Sequence, residues 1–286
     1  MKKLMKRVLA AFLGKSLVLE YPWKPINRYG DSRLISPGLL DVLNSSEENF
    51  SFIVEDIISH KKIFHSISER AKPGTDVIAW KNDYFPGLDM VCLYTMMIRY
   101  NPSRVVEIGS GNSTLIMRKA IDNAHLQTKI TSIDPAPRRE IRSNADLHIA
   151  SSLEDQNTDD LASLFTGLFP GDFVFMDGSH ISLPNSDVTI FFNEIINSLP
   201  SGVIVQVHDV YLPYEYPDEM ILRGYNEAYL LLQYLLGHLH QVEILFPSYY
   251  ISRHKALSEK LEKKLWSEMP YRTIETHGGS FWFKIK

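Results

Sequence analysis

From Arg104 onward, short apolar runs alternate with stretches of helical periodicity, and this alternation constrains the fold more than any other feature of the sequence. Seven runs have the length and the β-branched or aromatic content of strands, at residues 105–108, 130–133, 147–150, 173–176, 203–207, 244–246 and 281–285. Helical patterns separate most of them, at residues 113–124, 154–168, 187–199, 225–238 and 256–267. Strands that alternate with helices form a mainly parallel sheet with helices on both faces. The sequence therefore predicts a doubly wound α/β fold.

The first 85 residues lack this alternation, and we predict that they form a helical cap on a domain of residues 86–286. Within the cap, residues 46–70 are predicted to be a helix, with acidic residues in its first half and basic residues in its second half, as the helix dipole favours. Residues 1–15 combine basic residues with an apolar run too short to cross a membrane. They are predicted to form a solvated helix, or one in weak contact with an anionic membrane surface.

The first strand of the alternating region ends in a glycine turn, Glu107-Ile108-Gly109-Ser110-Gly111-Asn112-Ser113-Thr114. Glycine lets a backbone turn sharply and approach a neighbour closely, and the polar residues after it can cap a helix. A strand, a tight turn and a helix in this order predict a nucleotide-binding site. A dinucleotide-binding turn has a third glycine three residues after the second, and Thr114 stands there instead.

Polar residues follow three later strands. Asp134 follows the second strand, where a carboxylate can bind the hydroxyls of a ribose. The fourth strand leads into Asp177 and His180, and the fifth into His208 and Asp209. Because the carboxyl ends of parallel strands share one edge of a sheet, we expect these four titratable side chains to form a catalytic site there.

Together these segments resemble the class I S-adenosylmethionine (SAM)-dependent methyltransferases, and among them the subgroup associated with sugar and natural-product biosynthesis. Residues 207–214, 225–231 and 278–283 add to the resemblance, which covers residues 85–286. It implies a Rossmann-like, seven-stranded sheet whose last strand is antiparallel. It also implies that SAM contacts Glu107, Gly109, Ser110, Gly111, Asn112, Ser113, Asp134, Ser152, Leu153 and Asp177.

The implied reaction is O-methylation of a hydroxyl on a sugar, a glycan or a small molecule. A hydroxyl holds its proton at neutral pH, so its methylation requires a base or a metal. His180 is the candidate base, and Asp177, His208 and Asp209 are candidate ligands of a divalent metal. Mg²⁺ prefers oxygen ligands, so the imidazole of His208 fits it poorly.

Two other readings remain open: a nicotinamide-dependent oxidoreductase, and a hydroxylase-like or non-catalytic protein with the SAM-binding fold. The net charge of −4 gives no indication of a nucleic-acid partner. Cys92 is the only cysteine, so no disulfide can form within the chain, and a cytoplasmic location is expected. The oligomeric state cannot be predicted from the sequence.

Overall fold

The computed structural model describes residues 20–30, 33–72, 75–141 and 143–286. Its strands are β1 (Arg104–Ile108), β2 (Lys129–Ile133), β3 (Leu147–Ile149), β4 (Phe173–Met176), β5 (Ile204–Val207), β6 (Val242–Pro247) and β7 (Phe281–Ile285). The helices before the sheet are α1 (Pro37–Ser45), α2 (Glu47–Ser59), α3 (Lys61–His65) and α4 (Gly87–Tyr100). Those within it are α5 (Asn112–Ala124), α6 (Thr158–Thr166), α7 (Asp187–Ile190), α8 (Asp218–Arg223), α9 (Glu227–Gly237), α10 (Ser248–Arg253) and α11 (Lys255–Lys264).

The seven strands form one sheet in the order β3-β2-β1-β4-β5-β7-β6. Strands β1 to β5 pair in parallel, and β7 pairs antiparallel with both β5 and β6. The predicted fold, a mainly parallel seven-stranded sheet with an antiparallel last strand, is therefore confirmed. The central strands β4 and β5 are buried along their whole length, which explains why they read as continuous apolar runs.

The strand order also locates the site. The chain winds outward from β1 to β3 and then returns to place β4 on the other side of β1. In open α/β sheets, the crevice at such a reversal lies beyond the carboxyl ends of the strands and binds ligands. Here that crevice lies between the residues that follow β1 and those that follow β4.

Three predicted helices differ from the structure. The helix predicted at residues 154–168 is a tight turn at Leu153–Asp155 followed by α6, with extended backbone at Gln156 and Asn157 between them. The helix predicted at residues 46–70 is two helices, α2 and α3, because His60 leaves the helical region with φ −88° and ψ 5°. The helix predicted at residues 187–199 begins as α7 and continues as one wide turn at Phe191–Ile195 and one tight turn at Ile196–Ser198. All three predicted stretches have enough apolar residues to look like uninterrupted helices, and packing decides where the backbone deviates.

Helix α2 packs at the β6 side of the sheet, where it contacts α4, α11 and β6, while α4 also packs on α5. Phe50 meets the ring of Tyr250 edge-on at 6.1 Å, and the Tyr250 hydroxyl donates to Asn44 at 2.8 Å. One hydrophobic core runs from Leu39 to Phe283 without a break. The division of the chain at residue 85 stays a prediction, as does the helix at residues 1–15, which lies outside the described residues. No helix in the described ranges is long and apolar enough to cross a membrane.

Candidate active site

Glu107 organises the glycine turn from inside the protein. Its side chain is fully buried and accepts hydrogen bonds from the hydroxyls of Ser113 and Thr114, both at 2.6 Å, and Ser132 at 3.1 Å. Burial raises the pKa of Glu107 to about 7, against the opposing effect of these three hydrogen bonds. Thr114, which occupies the position of a dinucleotide-binding glycine, therefore has a structural partner in this turn.

The two glycines of the turn have different roles. Gly109 has φ +79°, and a Cβ built on it would lie 1.9 Å from the carbonyl oxygen of Asp177, so only glycine allows β1 and β4 to end side by side. Gly111 has φ 170° and ψ −118°, and a Cβ there would meet no protein atom within 4 Å. The space in front of Gly111 is thus open to a ligand.

A cavity of about 470 Å³ opens beyond β1, β2 and β4. Six of the predicted cofactor residues line it: Gly109, Ser110, Asp134, Ser152, Leu153 and Asp177. The Asp134 carboxylate accepts from the backbone N–H groups of Ser110 at 2.7 Å and Ala136 at 2.8 Å, which fixes its orientation at the cavity wall. Each of its oxygens keeps a second lone pair for a ligand.

A second cavity of about 340 Å³ adjoins the first, and the two share Ser110, Arg138 and Asp177. Gly111, Asn112 and Ser113 line it together with residues 82–85, which precede α4. Asn112 donates from its side chain to Asn82 at 3.1 Å, while its buried Oδ1 has no hydrogen-bond partner in the described structure. The sequence did not predict that residues 82–85 close this cavity, because nothing local links them to the glycine turn.

The catalytic candidates meet at the ends of β4 and β5. Nε2 of His180 lies 3.7 Å from Oδ1 of Asp177 and 3.6 Å from Oδ2 of Asp209. Ligand atoms of these three residues all lie within 4.8 Å of one another. His180 and Asp209 both have left-handed backbone, with φ +64° and +53°, which is uncommon outside glycine and often marks a functional position.

Glu227 holds the other side of the His180 ring. Its Oε1 lies 2.6 Å from Nδ1 of His180, and its side chain is fully buried at the start of α9. Tyr225 stacks on the same imidazole with a centroid separation of 4.4 Å. Burial by itself lowers the pKa of His180, but Glu227, Asp177 and Asp209 together raise it to about 9. His180 is therefore mostly protonated at neutral pH unless a cation displaces its proton.

His208, a predicted catalytic residue and metal-ligand candidate, is almost fully buried. Only 1% of it is exposed, and its ring stacks on Phe85 with the centroids 4.8 Å apart. Its Nε2 lies 3.4 Å from Asp89, and its Nδ1 lies 3.4 Å from Asp177 and 3.5 Å from Asp209. Burial lowers the pKa of His208, but the surrounding carboxylates raise it well above its usual value. The ring thus bridges Asp89 to Asp177 and Asp209. The imidazole whose ligand atom lies close to those of both carboxylates is that of His180, not that of His208.

The pKa values of Asp177 and Asp209 shift in opposite directions. Burial raises the pKa of Asp177, but His208 and His180 outweigh it, so that this pKa lies below its usual value. Burial dominates at Asp209 and raises its pKa. Asp89 and Glu227, which support the two imidazoles, were missed by sequence reasoning because an acidic residue in the first turn of a helix is ordinary.

Comparison with known proteins points to one class. A family model described as a methyltransferase domain matches residues 106–210, which run from β1 through β5 and include both sides of the site. This match supports a class I methyltransferase. No curated protein sequence matches the chain significantly.

Solved structures show partial likeness. The SAH-bound methyltransferase PaMTH1 of Podospora anserina is 12% identical over 94% of this chain and 100% of its own, with a TM-score of 0.41. An O-methyltransferase from Bacillus cereus in complex with SAH is 12% identical over 82% and 91%, with a TM-score of 0.38. The branched-chain polyamine synthase of Thermus thermophilus is 10% identical over 82% and 63%, with a TM-score of 0.39. At this level of similarity these structures do not distinguish one reaction from another.

Proposed function

We propose that this protein is a SAM-dependent methyltransferase that methylates a hydroxyl group on a sugar, a glycan or a small molecule. One observation carries the proposal: the cavity lined by the predicted cofactor residues reaches Asp177, which also belongs to the cluster with His180 and Asp209. A cofactor in that cavity would thus lie beside a group of residues able to take up a proton.

The residues present fit SAM. The open space at Gly111 leaves room for a ligand beside the backbone, and the unpartnered Oδ1 of Asn112 is a buried acceptor for an ammonium group. Asp134 presents free lone pairs where a ribose diol would be bound. When bound, SAM supplies an electrophilic methyl group that a nucleophile attacks in line with the leaving sulfur.

The chain's own residues then act on the acceptor. Nε2 of His180 accepts the hydroxyl proton, while Glu227 fixes the ring through Nδ1. Asp177 and Asp209 flank Nε2 and orient the acceptor hydroxyl toward it. His208, in the protein interior, positions the carboxylates of Asp177 and Asp209 through its Nδ1. A positioned base of this kind contributes roughly 10²–10⁴-fold to a rate.

The same cluster fits a divalent metal. Asp177, Asp209 and Nε2 of His180 would hold it, and two carboxylates with one imidazole suit Mn²⁺, Fe²⁺ or Zn²⁺ better than Mg²⁺. A metal there would lower the pKa of the acceptor hydroxyl by polarising its oxygen.

We expect chelation to separate the two versions of the mechanism. If Asp177, His180 and Asp209 hold a metal, dialysis against EDTA abolishes methyl transfer and Mn²⁺ restores it, whereas Asp209→Asn remains inactive with Mn²⁺. The measurement is transfer of radiolabelled methyl from SAM to the acceptor. Turnover that is indifferent to EDTA would assign proton removal to the protein's own imidazole.

Asp134→Ala is expected to weaken SAM binding by about 1–3 kcal/mol, the cost of a lost hydrogen bond to a charged group. Isothermal titration with SAM measures this effect. Asp122→Ala, a change on the outer part of α5, serves as the control and should bind SAM as the wild type does. Equal affinity of Asp134→Ala and wild type would remove the ribose assignment.

The other readings are less favoured. Thr114 is buried and bonded to Glu107, so the turn lacks the open third glycine of a dinucleotide site. A non-catalytic role does not explain why Asp177, His180 and Asp209 lie close together. Thermal stabilisation by NAD but not by SAM would favour the oxidoreductase instead.

A further inference from the structure

A cavity of about 600 Å³, which we call the side cavity, lies outside the predicted site residues. Tyr211, Tyr249, Ser258, Glu259, Glu262 and Trp266 are among the residues that line it. Strand β6 runs parallel to β5, because both pair antiparallel with β7. The residues after β6, which begin α10, therefore lie at the same edge of the sheet as Asp209. The side cavity is thus on the catalytic edge.

Tyr211 lines the side cavity and follows Asp209 by two residues. A Cβ built on Gly279 would lie 3.6 Å from the Tyr211 hydroxyl and 3.7 Å from Cα of Asp209, so the two residues are close. Tyr211 is only 7% exposed, yet its hydroxyl forms no hydrogen bond with any described residue. Burial raises the pKa of Tyr211, and the negative charges of Asp209 and Asp89 raise it further. The phenol is therefore a hydrogen-bond donor without a partner.

The opposite wall of the side cavity is acidic. Glu259 and Glu262 lie one turn apart on α11, and neither forms an ion pair within the described residues. Among the described lining residues, the positive group is Arg253, whose guanidinium lies over the rings of Tyr214 and Tyr249 at 4.8 and 5.7 Å. Two carboxylates against one guanidinium leave the lining negative.

Aromatic rings add to this preference. Tyr211 meets Tyr249 edge-on at 4.7 Å, and Trp266 lines the same space. Aromatic faces and carboxylates both attract an alkylammonium group, and they do so more strongly where water is partly excluded. A neutral ligand would lack both electrostatic attractions, and the carboxylates would repel an anionic one.

We propose that the side cavity binds the methyl acceptor and that this acceptor carries an ammonium group. This inference rests on the proposed methyltransferase function. Glu259 and Glu262 bind the ammonium group, and the Tyr211 hydroxyl donates to an acceptor oxygen at the end of the side cavity nearest Asp209. The reacting hydroxyl then lies toward His180.

Three sugars with one ring shape and different charges test the proposal: glucosamine, glucose and glucuronate. Saturation-transfer NMR on the full-length protein should show binding of glucosamine about fivefold or more tighter than glucose, the usual strength of one exposed ion pair or cation–π contact. Glucuronate should bind more weakly than glucose. The double variant Glu259→Gln with Glu262→Gln should lose most of this preference for glucosamine over glucose.

A second variant tests the place of binding. Ser258→Phe fills the side cavity from an exposed helix and should abolish the glucosamine signal, whereas Ser258→Ala, the matched control, should retain it. Tyr211→Phe should weaken glucosamine binding, whereas Tyr234→Phe on α9 should not. No signal from glucosamine, equal binding of the three sugars, or full binding by Ser258→Phe would overturn the proposal.

SAM affinity is measured separately on the same samples by calorimetry. Glucosamine binding that depends on Ser258 and the two glutamates, in a protein that does not bind SAM, would establish an amine site while refuting the methyltransferase. SAM binding without a preference for glucosamine would refute only the amine-bearing acceptor.

Discussion

Gly111→Val is expected to abolish SAM binding while leaving the protein folded. A Cβ on Gly111 would meet no protein atom within 4 Å, so a larger side chain has room there. The valine methyls would instead occupy the cavity of about 340 Å³ in which the amino-acid end of SAM is predicted to bind. Loss of the glycine before the first residue of α5 costs about 1 kcal/mol of stability, which the fold should tolerate.

Calorimetry measures the affinity for SAM, and a thermal melt of the same sample measures the stability of the fold. Gly237→Val is the matched control, because a Cβ on Gly237 also meets no atom within 4 Å but lies at the end of α9, away from both cofactor cavities. The control should bind SAM normally. A Gly111→Val protein with wild-type affinity would show that the cofactor does not occupy this cavity.

The second large effect is expected at His180. Removing its imidazole should lower turnover roughly 10²–10⁴-fold, because the ring is proposed to take the acceptor proton. SAM affinity should stay near the wild-type value, because the ring does not line either proposed cofactor cavity. His180→Ala would also leave the buried Glu227 without its partner, which is destabilising. His180→Asn is the cleaner variant, since asparagine tolerates left-handed backbone and can still donate to a carboxylate.

His65→Asn at the exposed end of α3 provides the control, and it should leave both turnover and SAM affinity unchanged. Full activity of His180→Asn on the acceptor would place the base elsewhere.

Without a metal, the pKa of about 9 leaves roughly one His180 in a hundred neutral at pH 7. If the neutral form is the base, as proposed, kcat/KM for the wild-type protein should rise with pH up to about 9. A profile that is already flat from pH 7 would indicate that a cation has displaced the proton.

The sheet was predictable because its signal is local. Each of the seven strands is a short apolar run bounded by turn residues, and a buried strand needs little else to be recognised. The reversed β7 was expected only from family resemblance, and the pairing of β7 with both β5 and β6 confirmed it. Helices were less predictable: α1, α8 and α10 have six to nine residues each, too few turns for a periodic pattern to stand out.

The site was predictable only in part. Parallel strands end at one edge, so the positions of Asp134, Asp177 and Asp209 followed from the strand assignment alone. The contacts of His180 and His208 did not follow, because their partners come from distant parts of the chain. Glu227 lies 47 residues after His180, and Asp89 reaches His208 while also accepting from the backbone N–H groups of Gly279 and Ser280.

By itself, the sequence determined the order of strands and helices, the glycine turn and the polar residues at the strand ends, since each depends on a few consecutive residues. Tertiary structure alone decided that His180 is charged at neutral pH and that His208 is a buried support. It also decided that residues 82–85 line the cavity in front of Gly111 and that Tyr211, two residues after Asp209, lines a side cavity. The physical reason is that pKa values and cavities depend on contacts between side chains that are distant in sequence. A local sequence pattern does not indicate such contacts.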